Sequence, residues 1–149
     1  MKKKSKRSRS QTLRILGLDI GQKRIGVALS DPLSITAQGL TVIVYETMVE
    51  ALDRLADLCR EYDVSQIVIG LPLHLSGSQG EAAEKVKRFA TALRERTGLP
   101  VEFVDERLTT RAAERTLIAA NVKRRARKEI RDMLAAVLIL ESFLNRSSG

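Results

Sequence analysis

LRILGLDIGQKRIGVALSD, residues 13–31, decides how the rest of this chain is read. A short apolar run closes on Leu18-Asp19-Ile20-Gly21, a polar Gln22-Lys23-Arg24 tip follows, and a second apolar run takes Ile25 to Leu29. Two strand-length runs joined by a polar, glycine-flanked turn predict a hairpin. Asp19 is out of place in it. Aspartate is disfavoured in strands and rarely buried without a partner, and a carboxylate among apolar neighbours needs a cation or several donors to offset its desolvation. Gly17, Gly21 and Gly26 leave the flanking backbone bare, which gives a phosphate or metal room to approach. A plainer role for Asp19 is to cap the turn through its own side chain. The stretch alone does not choose between them.

Outward from the hairpin, the next run of extended character is Leu40 to Tyr45. Thr47 and Glu50 have the spacing of a capping box, and Met48, Leu52, Leu55, Ala56, Cys59 and Tyr62 recur at helical spacing behind it. Gln66 to Gly70 is a short apolar run, as expected of a strand covered on both faces. After the loop LPLHLSGSQG, Ser78 and Glu81 repeat the capping-box spacing ahead of a second helix. That helix should stop near Thr97-Gly98, with Pro100 just beyond. Val101 to Asp105 reads as the last strand. Thr109 or Thr110 can cap a third helix to about Asn121, and a basic linker, Lys123 to Lys128, leads to a final helix from about Glu129 to Asn145. Strands alternating with helices predict a parallel section, and the leading hairpins add antiparallel strands on one side. The expectation is an α/β fold, a mixed five-stranded sheet with helices on both faces.

At 149 residues the chain is long enough for one well-buried core. Six of its +8 charges fall in residues 1–12, which hold no acid, so the body carries only +2. The tail, 1–12, reads as low-complexity and unstructured, able to hold phosphates through counterion release or merely to solubilise. Residues 13–146 read as a single domain. Aromatic residues make up only 3% of the chain, which argues against platforms that stack successive single-stranded bases. One cysteine, Cys59, and one histidine, His74, exclude an internal disulfide and a structural zinc site of the usual kind. Cys59 falls on a core-facing helical position. No apolar run reaches membrane-spanning length and no apolar signal core follows the basic start. No membrane is implied, and a cytoplasmic setting is expected.

Three acidic positions stand apart from the solvated background. Asp19 is the first. Asp105-Glu106 closes the last strand, and because successive strand side chains face opposite sides, only one of that pair should face Asp19. Asp132 sits on a helix apolar almost all round, in a stripe with Ala135, Ala136, Ile139 and Phe143. The two alanines would let that helix press close to the sheet. Asp132 could instead simply favour the positive end of its helix. Three buried acids from two strands and a helix cannot all ionise without cations. Mg²⁺ or Mn²⁺, which prefer oxygen ligands, would serve. Two such ions about 3.5–4 Å apart can activate water and stabilise the leaving oxygen of an in-line phosphoryl displacement. No His, Cys or Ser nucleophile is then needed.

These residues carry a resemblance. LGLDIGQKRIGVALSD, IVIGLPLHLSGSQGEAAEKVKRFA, VEFVDERLTT and RDMLAAVLILESFL together resemble the YqgF family, whose members go by the names pre-16S ribosomal RNA nuclease, RuvX and Holliday junction resolvase. The segments span nearly everything from Ile15 to Leu144, in family order. The resemblance implies a ribonuclease H-like fold and a divalent-metal nuclease that trims the 5′ end of precursor 16S ribosomal RNA. Carried over by motif, the catalytic, metal-binding acids would be Asp19, Glu106 and Asp132. Two positions depart from the family pattern: His74-Leu75-Ser76-Gly77 replaces a polar Asn-x-Asp type loop, and Met133 stands where a small residue is usual.

Around these acids, Lys23, Arg24, Arg107 and Arg111 are candidates to clamp a phosphate, Arg by bidentate contact. Lys123, Arg124, Arg125, Arg127 and Lys128 could guide a polyanionic backbone toward Asp132, or form a solvated loop. His74 reads as a loop histidine, though its pKa suits proton transfer. The alternatives to an RNA nuclease are a branched-DNA (Holliday junction) resolvase, which would require a symmetric dimer, and a non-catalytic RNA-binding module. As to assembly, the chain reads as a monomer or homodimer.

Overall fold

A computed structural model describes residues 13–72, 80–106 and 124–148, with side chains placed for 130–146 of the last group. The hairpin expected at 13–31 forms as β1 (Ile15–Ile20) and β2 (Arg24–Ser30), followed by β3 (Ala37–Val44), α1 (Met48–Glu61), β4 (Gln66–Leu71), α2 (Glu81–Thr97), β5 (Val101–Asp105) and α3 (Arg124–Ser148). The sheet order is β3-β2-β1-β4-β5. β2 runs antiparallel to both β1 and β3, while β4 runs parallel to both β1 and β5. The mixed five-stranded sheet read from the sequence is therefore the one that forms.

Local chemistry explains the boundaries. The Glu50 amide donates to Thr47 Oγ1 at 3.1 Å and the Glu50 carboxylate accepts from the Glu46 amide at 3.0 Å, so α1 begins where the capping residues placed it. Such a cap is worth about 1 kcal/mol. α2 ends on Gly98, whose φ of 74° is the left-handed stop expected ahead of Pro100. Its start differs from expectation. Gly80, not Ser78, is the cap and makes no side-chain hydrogen bond; Ser78 lies outside the described residues. The helix expected after Thr109 or Thr110 also lies outside them. The expected linker is a correction: from Arg124 onward it is already the first turns of α3. Arg, Lys and Ala are strong helix formers, and that propensity outweighs the run of charge.

The two faces of the sheet are packed differently. On one, Leu16, Leu18, Ile25, Val27, Ile67 and Ile69 meet α1 and α2 in a large aliphatic core that also buries Cys59. Burial pushes the Cys59 thiol up to about 12, as befits an inert core group. On the other, Ile15, Ala28, Val68 and Val104 meet Ala136, Ile139, Leu140 and Phe143 of α3. Here glycines do the positioning. A Cβ on Gly17 would lie 2.9 Å from Leu140 Cβ, and one on Gly26 would lie 2.0 Å from the Asp132 carbonyl oxygen. Gly17 and Gly26 thus admit a helix rather than the phosphate or metal expected of them, because α3 fills that space. A Cβ on Gly39 would meet Met133 Sδ at 2.9 Å, so the larger residue at 133 is accommodated over a bare strand position. Among the described residues no helix is long and apolar enough to cross a membrane.

Candidate active site

The site is assembled by strand parity. Ile15, Gly17 and Asp19 of β1 alternate onto the α3 face, as do Gly26 and Ala28 of β2 and Val104 of β5. Two residues beyond Val104 the same alternation carries Glu106, whose amide donates to the Leu71 carbonyl at 3.3 Å and extends the ladder past β5. Asp105 faces away and is exposed. Of the adjacent pair, Glu106 is the one that meets Asp19.

β4 lies between β1 and β5, so Asp19 and Glu106 can touch only across it. Leu18 pairs with Ile69 and Gly70 pairs with Val104; the next residue of β4 abreast of Asp19 is therefore Gly70. With no side chain there, the two carboxyls meet in a hydrogen bond over bare backbone. A Cβ at Gly70 would stand 3.2 Å from Glu106 Cβ and 2.4 Å from Ile139 Cδ1. Gly70 is the bare strand position that lets the two carboxyls meet, and the acidic residues alone do not point to it. Its signal was present in QIVIG, because an isolated glycine in a strand marks a close approach of other groups.

On the other side of Asp19 the same device recurs. Asp19 pairs with Gly26 across the hairpin, and α3 rests its Asp132 backbone on that glycine. The small residues Ala135 and Ala136 let the helix settle this close, as the sequence pattern anticipated. Asp132 is thereby brought within electrostatic reach of Asp19. Its carboxylate is held by Arg24, Nε to Oδ2 at 3.0 Å, with both side chains about three-quarters buried. The hairpin that carries Arg24 is itself pinned. The Gly21 amide donates to the Arg24 carbonyl at 2.8 Å, and the Tyr45 hydroxyl donates to the Gly21 carbonyl at 2.5 Å.

The electrostatics follow from this crowding. Burial pushes Glu106 up to about 8, and the Asp19 charge, the hydrogen bond to Asp19 and the Asp105 charge all add to it. Burial raises Asp19 as well, the hydrogen bond from Glu106 pulls it back, and the Asp132 charge raises it again. At neutral pH the Asp19–Glu106 pair therefore holds a proton, which Glu106 donates to Asp19. The acids form two pairs rather than one closed trio: Asp19 with Glu106, and Asp132 with Arg24. Among the described residues, no three of His, Cys, Asp and Glu are gathered tightly enough to hold a metal as they stand. The donor set is nonetheless all oxygen, which suits hard divalent cations, and a shared proton marks where positive charge is wanted.

Of the basic candidates, Lys23 is exposed on the hairpin loop, and Arg24 is engaged with Asp132 rather than free for a phosphate. Arg124, Arg125, Arg127 and Lys128 lie on the first turns of α3. Arg107, Arg111, Lys123 and His74 lie outside the described residues.

A mixed five-stranded sheet with its acids at the carboxyl ends of β1 and β5, and with helices on both faces, defines a ribonuclease H-like α/β protein. Solved structures agree on the fold. T. thermophilus RuvC in complex with Holliday junction substrate aligns with a TM-score of 0.56 at 18% identity, covering 91% of this chain and 96% of that one. The Fowlpox virus resolvase in complex with Holliday junction DNA gives 0.58 at 12% identity, covering 92% and 100%. Closer in sequence are proteins named "Putative pre-16S rRNA nuclease". That of Moorella thermoacetica is 51% identical over 134 residues, covering 90% of this chain and 96% of the relative. That of Listeria innocua is 50% identical over 138 residues, covering 91% and 100%. The family described as RuvX, Holliday junction resolvase, matches residues 13–146. The chain belongs to this family, also called YqgF.

Proposed function

We propose that this protein is a divalent-metal-dependent nuclease that hydrolyses phosphodiester bonds in nucleic acid, and that its substrate is precursor 16S ribosomal RNA. The observation that carries the reading is the proton-sharing Asp19–Glu106 pair at the strand ends, with Asp132 close enough to feel its charge. Asp19, Glu106 and Asp132 would hold Mg²⁺ or Mn²⁺. When bound, such ions supply an activated water and stabilise the leaving oxygen of an in-line displacement. For its part the chain must release the proton held between Asp19 and Glu106, and Arg24 must let go of Asp132. Arg24 would then stand beside the acids with its guanidinium available for a phosphate oxygen, in the bidentate manner that arginine favours. The names of the relatives in Moorella and Listeria favour an RNA substrate.

The test is cleavage of precursor RNA with Mg²⁺ or Mn²⁺ by the wild type and by the Asp19→Asn variant. Cleavage should vanish in the variant and on stripping the metal with EDTA. Undiminished cleavage by Asp19→Asn would sink the assignment. A second reading, resolution of branched DNA, is favoured by the family description and by the folds of the two resolvases. It requires two sites acting across a symmetric junction, hence a stable dimer. Light scattering that finds only monomer at working concentration would remove it.

A further inference from the structure

Beside the carboxylates lies a cavity of about 730 Å³, open to solvent and within the size range of small-ligand sites. Glu106 forms part of its wall. The rest is largely apolar: Ile20 from β1, Met48 from α1, Pro72 just after β4, and Val86 and Phe89 from α2. Lys85 and Arg88, both exposed and one turn apart on α2, bring positive charge to it, and Glu81 in the first turn of the same helix adds one carboxylate. Gln22, on the hairpin loop, adds a side-chain amide that can both donate and accept. Two further cavities among the described residues, each about 300 Å³, contain none of the three acids.

We infer that this cleft seats one unpaired nucleobase of the strand being cut, next to the phosphate presented to the acids; this rests on the nuclease reading above. A duplex offers phosphates and groove edges, and its base faces are hidden in the stack, so an apolar wall gives it nothing. A base turned out of the stack offers flat apolar faces and a hydrogen-bonding edge. Its own phosphates match Lys85 and Arg88, whereas an apolar side chain from a protein partner would leave that pair of cations without purpose. Aromatic residues point the same way. The chain has three Phe and two Tyr in all, and Phe89 and Tyr45 both line this one cleft. The scarcity of aromatics still excludes a platform for a run of bases. It leaves room for a single seat.

The experiment measures binding in EDTA, so that cleavage plays no part. A fluorescently labelled ten-nucleotide single-stranded RNA is compared by anisotropy with an abasic strand of the same length. The base-bearing strand should bind roughly tenfold tighter, the order of effect that one well-seated base contributes. A strand carrying 5-iodouridine should, on irradiation, crosslink to Tyr45, Met48 or Phe89. Replacing Lys85 and Arg88 together by Gln should weaken both strands alike, since it removes charge and leaves the apolar wall. Equal affinity for the two strands, or crosslinks confined to residues outside the cleft, would overturn the inference. If base dependence is absent while Asp19-dependent cleavage persists, the cleft falls and the nuclease stands. If base dependence is present and no divalent ion supports cleavage, the reverse holds.

Discussion

The two faces of the sheet achieve burial by opposite means. Toward α1 and α2 the strands project Leu16, Leu18, Ile25 and Ile69, and large side chains fill the space between layers. Toward α3 the strands withdraw their side chains at Gly17, Gly26, Gly39 and Gly70, and the helix comes down onto backbone. The first arrangement gives stability and tolerates distance. The second sacrifices side-chain contact to bring a helix-borne carboxylate against strand-borne ones. The candidate acids sit on the face where the packing is leanest.

That contrast can be broken from either side. The largest loss of stability should come from truncating the aliphatic face: Leu16→Ala should cost about 2–5 kcal/mol in urea unfolding, with metal-dependent cleavage retained by whatever remains folded. Enlarging the bare face should act inversely. Gly26→Ala places a methyl 2.0 Å from the Asp132 carbonyl oxygen, and neither backbone can yield easily. Overpacking of this kind costs about 1–3 kcal/mol, yet here cleavage should disappear before the fold does. Gly26→Ala with wild-type activity would show that the closeness of α3 is incidental.

A further effect on stability should appear as pH dependence. In the folded protein Glu106 keeps its proton up to about 8, against an ordinary value of 4.5. Below pH 4.5 both folded and unfolded chains are protonated there, and nothing is lost. Between 4.5 and 8 the unfolded chain releases the proton while the folded one retains it, so stability should fall as pH rises and then level off. Thermal unfolding across that window should show the decline in EDTA and its reversal by Mg²⁺. A melting temperature that climbs with pH in EDTA would contradict the proton-sharing pair. Least of all, Arg24→Ala should change stability by under about 1 kcal/mol, as expected of a partly exposed ion pair. It should tighten Mg²⁺ binding, measured by calorimetry, if Arg24 competes with the ion for Asp132.

How much of this could be read in advance divides along the same line. The aliphatic face was legible, because strand alternation and helical spacing are local patterns. So were Asp19 and Asp132, each conspicuous as an acid in an apolar setting. Choosing Glu106 over Asp105 needed the register of β5 against β4, which the local pattern leaves open. The glycines were legible as bare backbone but their use was not: Gly17 and Gly26 offer room that a ligand could take, and only the path of α3 shows that a helix occupies it. Gly70 and the cleft beside Glu106 escaped altogether. Gly70 matters where β1, β4, β5 and α3 meet, and the cleft lies where β1, α1, α2 and the hairpin loop meet; no single stretch of sequence contains either meeting. Arg24 was legible as a neighbour of the acids, but its ion pair with Asp132 depends on where α3 docks.

The ion pair between Arg24 and Asp132 joins residues 108 positions apart. Ribosomes make proteins from the N-terminus, and chains fold in that order as they emerge. The hairpin with Asp19 and Arg24 is therefore made long before the helix that carries Asp132. A nascent chain arrested ahead of α3 would carry two of the three acids and none of the helix that covers the glycines. With the proposed site and substrate, this protein would be synthesised beside ribosomal RNA and stay harmless to it until its final helix had docked.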